Sequence, residues 1–150
     1  MRPEETIDFH IRWIWAKVSR LYNTEASKNG GTMSMGYVLL NIDKEGTPST
    51  RLGPRMGMEP TSLSRTLKSM EKQGLILRKT DQNDKRMVRV FLTKRGQNMR
   101  DVSKDAVLRF NEYMRSHLDE SRLNIFFEVM GEINQLLENE EIFQPKTAAQ

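Results

Sequence analysis

The chain has 150 residues and a formal net charge of +4, and its 37% hydrophobic and 29% charged residues indicate one domain with a core and a well-solvated surface. It contains no cysteine, which excludes disulfides, thiol-based redox sensing and thiolate metal sites. Because the N-terminus is charged and no apolar run approaches the length of about 18 residues needed to span a bilayer, we expect a cytoplasmic protein with no membrane partner.

The first half of the chain is predicted to be helical. Apolar periodicity and capping residues predict four helices, over residues 5–28, 34–44, 47–56 and 60–73. In the third helix we predict Thr47 as the N-cap and Pro48 at the first position. Pro54 lies inside this helix, where it lacks a backbone N–H and clashes with the carbonyl of Thr50. This predicts that the helix is kinked or that it begins after the position indicated by Thr47.

The periodicity changes after Gly74. Two strands are predicted, over residues 75–80 and 88–93, joined by a polar hairpin loop over residues 81–86. Helices follow over 94–117, capped by Thr93, and from a cap at Asp119 to about Asn139. We expect residues 144–150 to be disordered. The predicted fold class is therefore mainly α with a small β-hairpin wing.

The charge is concentrated in the middle of the chain. Residues 47–95 hold twelve Lys and Arg against four Asp and Glu, a net charge of +8, and the remainder holds twelve against sixteen, a net charge of −4. Such a distribution is typical of a module that binds a polyanion, and equally of an ordinary solvated surface. Charge alone leaves both interpretations open.

The helix over 60–73 has two contrasting faces. On a helical wheel, Leu63, Leu67 and Met70 lie on one side, and the opposite side carries hydroxyl and cationic groups. That polar side fits the DNA major groove, where Arg reads guanine and Lys binds phosphate, although a generic amphipathic helix would show the same pattern. The candidate DNA-binding residues are Thr61, Ser62, Ser64, Arg65, Lys68 and Lys72.

The hairpin loop carries a second basic cluster. Lys85 and Arg86 lie at its tip and Arg89 just beyond it, and an arginine there can enter the minor groove. We therefore add these three residues to the DNA-binding set. Asp84 would repel phosphate, so we predict that it orients an arginine; a role confined to the turn is the alternative, and the two are compatible.

Two segments resemble a known family. The pattern Asp84-x-Arg86-x-x-x-Val90-x-Leu92-Thr93 resembles the wing signature of the MarR (multiple antibiotic resistance regulator) family of winged helix-turn-helix transcriptional regulators. Residues 67–76 are similar to the end of that family's recognition helix and the strand after it, and the helix order over about 5–142 is also similar.

The resemblance implies a function and an assembly. It implies a DNA-binding lobe over 33–94 and an obligate homodimer joined by helices over 5–28 and 95–142. It further implies a palindromic operator, repression, and release by a small lipophilic or aromatic ligand. Carried over by motif position, Arg86 would be the minor-groove residue and Asp84 its orienting partner.

Two features of the helices stay open on sequence alone. The apolar stripes of the terminal helices serve either a dimer interface or packing within one chain. Aromatic side chains either line a ligand pocket between the dimer helices and the DNA-binding lobe or belong to the core. The candidate pocket residues are Trp13, Trp15, Tyr22, Tyr37, Phe110 and Tyr113.

An enzyme is not expected. The sequence lacks a cysteine nucleophile and a Gly-rich phosphate loop, and its two histidines, His10 and His117, are far apart, so we also predict no metal and no cofactor. The alternative function is a winged helix that binds RNA or a protein partner without ligand response. The hydroxyl-rich helix face and the absence of stacking aromatics favour duplex DNA over single-stranded RNA.

Overall fold

The computed structural model describes residues 1–139 and 142–143, so the predicted tail over 144–150 lies outside the described residues. The helices are a 3-10 turn at Pro3–Glu5 and α1 Ile7–Ser27, α2 Met33–Asn41, α3 Ser49–Met56, α4 Pro60–Lys72, α5 Lys94–His117 and α6 Glu120–Leu136. The strands are β1 Thr47–Pro48, β2 Ile76–Thr80 and β3 Val88–Leu92. The chain divides into a first compact unit that ends at Leu108 and a second that begins at Arg109.

The core of the first unit lies among α2, α3, α4 and the sheet. The predicted inner face of α4 is confirmed, because Leu63, Leu67 and Met70 are all buried. Burying a side chain of this size stabilises the fold by about 1.5–3 kcal/mol, so the burial of this face determines which side of α4 packs on the core. The other buried core residues are Met35, Val38, Leu39, Ile42, Leu52, Leu75, Ile76 and Val90.

The sheet has three antiparallel strands in the order β1-β3-β2. The predicted hairpin is confirmed, with Ile76 opposite Leu92 and Thr80 opposite Val88. The third strand, β1, was not predicted, and it places Thr47 opposite Val90.

The prediction of Thr47 as a helix cap is wrong. Its side chain is fully buried, and its hydroxyl accepts a hydrogen bond from the N–H of Asp43 at 2.8 Å and donates to that residue's carboxylate at 3.1 Å. Both bonds of the hydroxyl are thus with Asp43, before the helix, and not with the N–H groups of the helix start. A β-branched threonine also suits β1, the strand that pairs with β3. Pro48 occupies the cap position and α3 begins at Ser49, later than Thr47 would place it.

Pro54 does not end α3, which continues through it to Met56. The helix starts only at Ser49, so Pro54 deprives a single first-turn carbonyl, that of Thr50, of its donor. Gly57 then ends the helix with φ +60°, a left-handed conformation that glycine adopts without strain.

Both predicted caps of the later helices are confirmed. The hydroxyl of Thr93 accepts the N–H of Gly96 at 3.0 Å and donates to the carbonyl of Gly74 at 2.6 Å, which joins the start of α5 to the start of the hairpin. In the second unit, the carboxylate of Asp119 accepts the N–H groups of Ser121 and Arg122 at the start of α6.

The terminal helices, α1 in the first unit and α6 in the second, each expose large apolar side chains. Neither α1 nor α6 contains a buried residue. No helix within residues 1–139 and 142–143 is long and apolar enough to cross a membrane. The exposed apolar side chains of these two helices are Ile7, Ile11, Trp13, Ile14, Trp15, Leu21, Ile125, Phe126, Phe127, Val129 and Leu136.

Candidate nucleic-acid interface

The outer face of α4 is exposed and polar, opposite the buried Leu63, Leu67 and Met70. All six predicted α4 residues are exposed: Thr61, Ser62, Ser64, Arg65, Lys68 and Lys72. Four of them, Thr61, Ser64, Arg65 and Lys68, line one shallow concavity together with Pro60 at the helix start. The fold therefore brings the predicted hydroxyl and cationic groups together on one surface.

The acidic side chain near the end of α4 is already paired. The carboxylate of Glu71 accepts two hydrogen bonds from Arg78 of β2, at 2.7 Å from Nε and 3.2 Å from Nη2. These bonds hold the pKa of Glu71 below its usual value. The negative charge on this helix is therefore compensated, and Arg78 is engaged within the fold.

The tip of the hairpin presents Lys85 and Arg86 to solvent. The carboxylate of Asp84 accepts the backbone N–H of Arg86 at 3.0 Å and does not bond its guanidinium. The predicted contact, in which Asp84 would orient the guanidinium of Arg86, is therefore not formed in the free chain. Of the two roles considered for Asp84, the structure shows the role in the turn. A short side chain two residues back reaches a backbone N–H more readily than a long guanidinium that extends away from the turn.

Arg89 is held at the base of the wing and does not project from it. Its Nε donates to the Asp81 carboxylate at 2.9 Å, and its Nη1 donates to the carbonyl of Gly46 at 2.9 Å. The other oxygen of Asp81 accepts the N–H groups of Asn83 at 2.8 Å and Asp84 at 3.0 Å. Arg89 was predicted to contact DNA, and in the free chain its side chain is bonded within the fold.

Sequence reasoning missed the pairing of Asp81 with Arg89. The N–H of Asn83, then the guanidinium of Arg89 and the N–H of Asp84, hold the pKa of its carboxyl below its usual value, against a smaller effect of burial. An aspartate that opens a polar turn is a usable signal, because Asp side chains bond the backbone two residues on. Its pairing with an arginine eight residues away required the hairpin register.

Most of the cations in residues 47–95 are left unpaired by the fold. Three of the twelve form ion pairs: Arg55 with Asp43, Arg78 with Glu71 and Arg89 with Asp81. The other nine take part in no ion pair within the part of the chain that the structure describes. The α4 face and the wing tip therefore both carry unpaired positive charge, which favours a polyanionic partner.

The first unit also contains an apolar cavity of about 50 Å³. Two of the predicted pocket residues, Tyr22 of α1 and Tyr37 of α2, line it with ring centroids 6.5 Å apart. Burial raises the pKa of both phenols. Sequence reasoning missed the methionines of the lining, Met33, Met35 and Met99, although ten methionines in 150 residues were a visible signal.

The remaining predicted pocket residues do not line this cavity. Trp13 and Trp15 are about half exposed, at 53% and 51%. Trp13 lies nine positions before Tyr22 and thus on the opposite side of α1, and Trp15 lies seven positions before it, about 10 Å along the helix. In the second unit, Tyr113 is 61% exposed and stacks on His117, and Phe110 is half-buried outside the cavity.

Residues 33–88, from α2 to the start of β3, match the family model described as the MarR family. This segment is therefore similar to the MarR family. It contains α4 and the wing loop with Asp84 and Arg86, on which the predicted resemblance was based, and it ends before Val90, Leu92 and Thr93 of that pattern.

A curated relative of the MarR-type segment is the HTH-type transcriptional regulator SarZ of Staphylococcus epidermidis. It is 30% identical over 93 residues, which cover 60% of this chain and 63% of the relative. The match thus spans less than two thirds of the relative's length.

Solved structures share the fold at low sequence identity. The S. aureus MepR–DNA complex has a TM-score of 0.82 at 17% identity and covers 88% of this chain and 98% of its own. The PcaV transcriptional regulator from Streptomyces coelicolor, in complex with its natural ligand, has a TM-score of 0.77 at 20% identity. The match covers 90% of this chain and 96% of the PcaV chain. The predicted winged helix-turn-helix architecture is therefore confirmed.

Proposed function

We propose that this chain is a sequence-specific transcriptional regulator that binds duplex DNA as a homodimer on a palindromic operator and represses. The observation that carries the proposal is the unpaired cationic surface of α4 and the wing tip, set on a helix whose other face is buried. The name of the S. epidermidis relative, a transcriptional regulator, and the DNA in the MepR structure support it.

The α4 face suits the major groove. We expect Arg65 to pair with guanine, the hydroxyls of Thr61 and Ser64 to bond bases or phosphates, and Lys68 to bind phosphate, since all four line one exposed concavity. Arg86, at the exposed wing tip, is placed to enter the neighbouring minor groove, where the negative potential attracts guanidinium.

The homodimer rests on the exposed apolar faces of α1 and α6. Such side chains are costly to leave in water, and a second copy of the chain would cover them. Two recognition helices about 34 Å apart would then read two half-sites one turn of DNA apart.

Substitution of Arg65 tests the base-reading face. We expect Arg65→Ala to weaken binding to the cognate site by about 1–3 kcal/mol and to relax specificity at one base position. Lys72→Ala, at the far end of α4, should weaken binding to cognate and random duplexes alike. Binding-site selection with both variants checks this, and an unchanged preferred sequence for Arg65→Ala would exclude the assignment of that face.

Substitution of Arg86 tests the wing tip. We expect Arg86→Ala to lower the slope of log affinity against log salt by about one, because one fewer counterion is released on binding. Lys104→Ala, an exposed α5 cation outside the cationic surface, should leave the slope unchanged. Titrations at four salt concentrations measure both slopes, and equal slopes for all three proteins would contradict minor-groove insertion.

We further propose that the cavity takes a small, uncharged, lipophilic or aromatic ligand that releases DNA. Its lining is mostly apolar and contains Glu25 but no Lys, Arg or His, so a carboxylate would find no cation there. The cavity is small, so we expect a ligand to displace side chains of its lining as it enters. The natural ligand in the PcaV structure supports an effector role.

The ligand proposal has a matched test. We expect p-cresol at millimolar concentration to weaken DNA binding, and 4-methylbenzoate, its carboxylate counterpart, to have less effect. Ala106→Leu, which fills the cavity wall, should abolish the p-cresol effect and retain DNA binding. Release by the carboxylate alone would contradict the proposed ligand class.

A further inference from the structure

We propose that Asp81 and Arg89 are positioning residues that hold the wing loop over 81–87 in place before DNA binds, by tying it to Gly46. The proposal rests on the function proposed above, since it concerns how the cationic wing tip is presented. It gives Arg89 a role in DNA binding that involves no contact with DNA.

An unbroken series of hydrogen bonds runs from the turn before β1 to the wing tip. Arg89 donates to the carbonyl of Gly46 and to the carboxylate of Asp81, both at 2.9 Å. Asp81 accepts the N–H of Asp84 at 3.0 Å, and Asp84 accepts the N–H of Arg86 at 3.0 Å. Each link fixes the backbone of the next, so the position of Arg86 depends on Arg89.

The loop is also closed on itself by its backbone. The N–H of Asp81 donates to the carbonyl of Met87 at 2.8 Å, and the N–H of Met87 donates to the carbonyl of Asp84 at 2.9 Å. These bonds define the shape of the loop, and the bonds of Arg89 define where that shape sits relative to β1. Loss of Arg89 would therefore free the loop without unfolding the hairpin, whose register is fixed by the pairing of β2 and β3.

Gly46 is a fixed anchor for this arrangement. It is buried with φ +84°, and the ring of Phe91 lies 2.5–2.9 Å from the place a Cβ would occupy. Its N–H donates to the carbonyl of Asp43 at 2.9 Å, and the carboxylate of Asp43 is in turn paired with Arg55 at 3.0 Å. The carbonyl that Arg89 bonds is thus held by the core of the first unit.

Burial and charge separate this role from direct contact with phosphate. The side chains of Arg89 and Asp81 are only 29% and 10% exposed, whereas Arg86 is exposed and unpaired within residues 1–139 and 142–143. The charge of Arg89 is already compensated by Asp81, so it would neutralise no phosphate and release no counterions from DNA. Its contribution is to spare the loop the ordering entropy that DNA binding would otherwise cost.

The test compares two neutralising substitutions three residues apart, Arg89→Gln and Arg86→Gln. We expect Arg89→Gln to weaken binding to a selected duplex about tenfold, equivalent to ordering one or two residues, with an unchanged salt slope. Arg86→Gln should lower the slope by about one. A slope lowered by about one in Arg89→Gln would mean direct phosphate contact and would overturn the proposal.

A second readout needs no DNA. We expect trypsin to cleave free Arg89→Gln after Lys85 and Arg86 several times faster than the wild type, with cleavage after Lys68 and Lys72 of α4 unchanged as the control for global unfolding. Asp81→Asn, which breaks the same link from the other side, should also cleave faster at the wing. Unchanged wing cleavage in both variants would overturn the positioning role. If the wild type selected no duplex, the proposed function would fail, and this readout would still decide whether Arg89 holds the loop.

Discussion

Gly96→Ala is expected to destabilise the first unit by about 3 kcal/mol or more, at the upper end of the range for overpacked sites. A Cβ at this position would lie 1.9 Å from the carbonyl oxygen of Leu75 and 3.0 Å from its carbonyl carbon. Those atoms are backbone, and the same oxygen accepts the N–H of Thr93 at 3.1 Å. Relief of the clash would therefore move the start of α5 away from the wing.

Gly131→Ala in α6 is the matched control. A Cβ there would meet nothing within 4 Å, so the alanine should stabilise the helix by up to about 1 kcal/mol through its better helix propensity. Urea denaturation of both variants against the wild type gives the two free energies of unfolding. Similar small shifts for both would contradict the close packing of α5 on Leu75.

Phe126→Asp is expected to dissociate the proposed homodimer. Phe126 is 50% exposed in the single chain, and loss of its burial at about 1.5–3 kcal/mol in each of two copies would raise the dissociation constant by roughly 10² to 10⁴. Asn124→Asp is the control, because it places the same charge two residues away, on the opposite side of α6.

Sedimentation at micromolar concentration measures this effect. The wild type and Asn124→Asp should sediment at twice 17.5 kDa, and Phe126→Asp at 17.5 kDa. A wild type that sediments as a monomer would contradict the two-half-site arrangement. A Phe126→Asp variant that remains dimeric would exclude this face of α6 from the interface.

Local patterns predicted the elements well. Leu63, Leu67 and Met70 follow helical spacing, and burial of all three confirms the face of α4 that points outward. Thr93 and Asp119 cap the helices they were expected to cap, because the N-cap bond joins residues only two or three positions apart. Information of this range is present in the sequence itself.

The features that the sequence did not predict are contacts between distant residues. Thr47 has the residue type of a helix cap, but its pairing with Val90 in β1 depends on a strand 43 positions away. Arg89 has the charge of a DNA contact, but Asp81 and Gly46 bind it first. Trp13 and Trp15 were assigned to a pocket by residue type, and only the position of Tyr22 on α1 shows which turn faces the cavity.

Selection from a pool of random duplexes, followed by competition with structured RNA, tests the central claim of sequence-specific DNA binding most directly. We predict enrichment of a two-fold symmetric sequence whose half-sites lie about 10 base pairs apart. The protein should remain bound to this duplex in an excess of structured RNA. Failure to enrich any duplex sequence, or displacement by equimolar structured RNA, would contradict the proposed function.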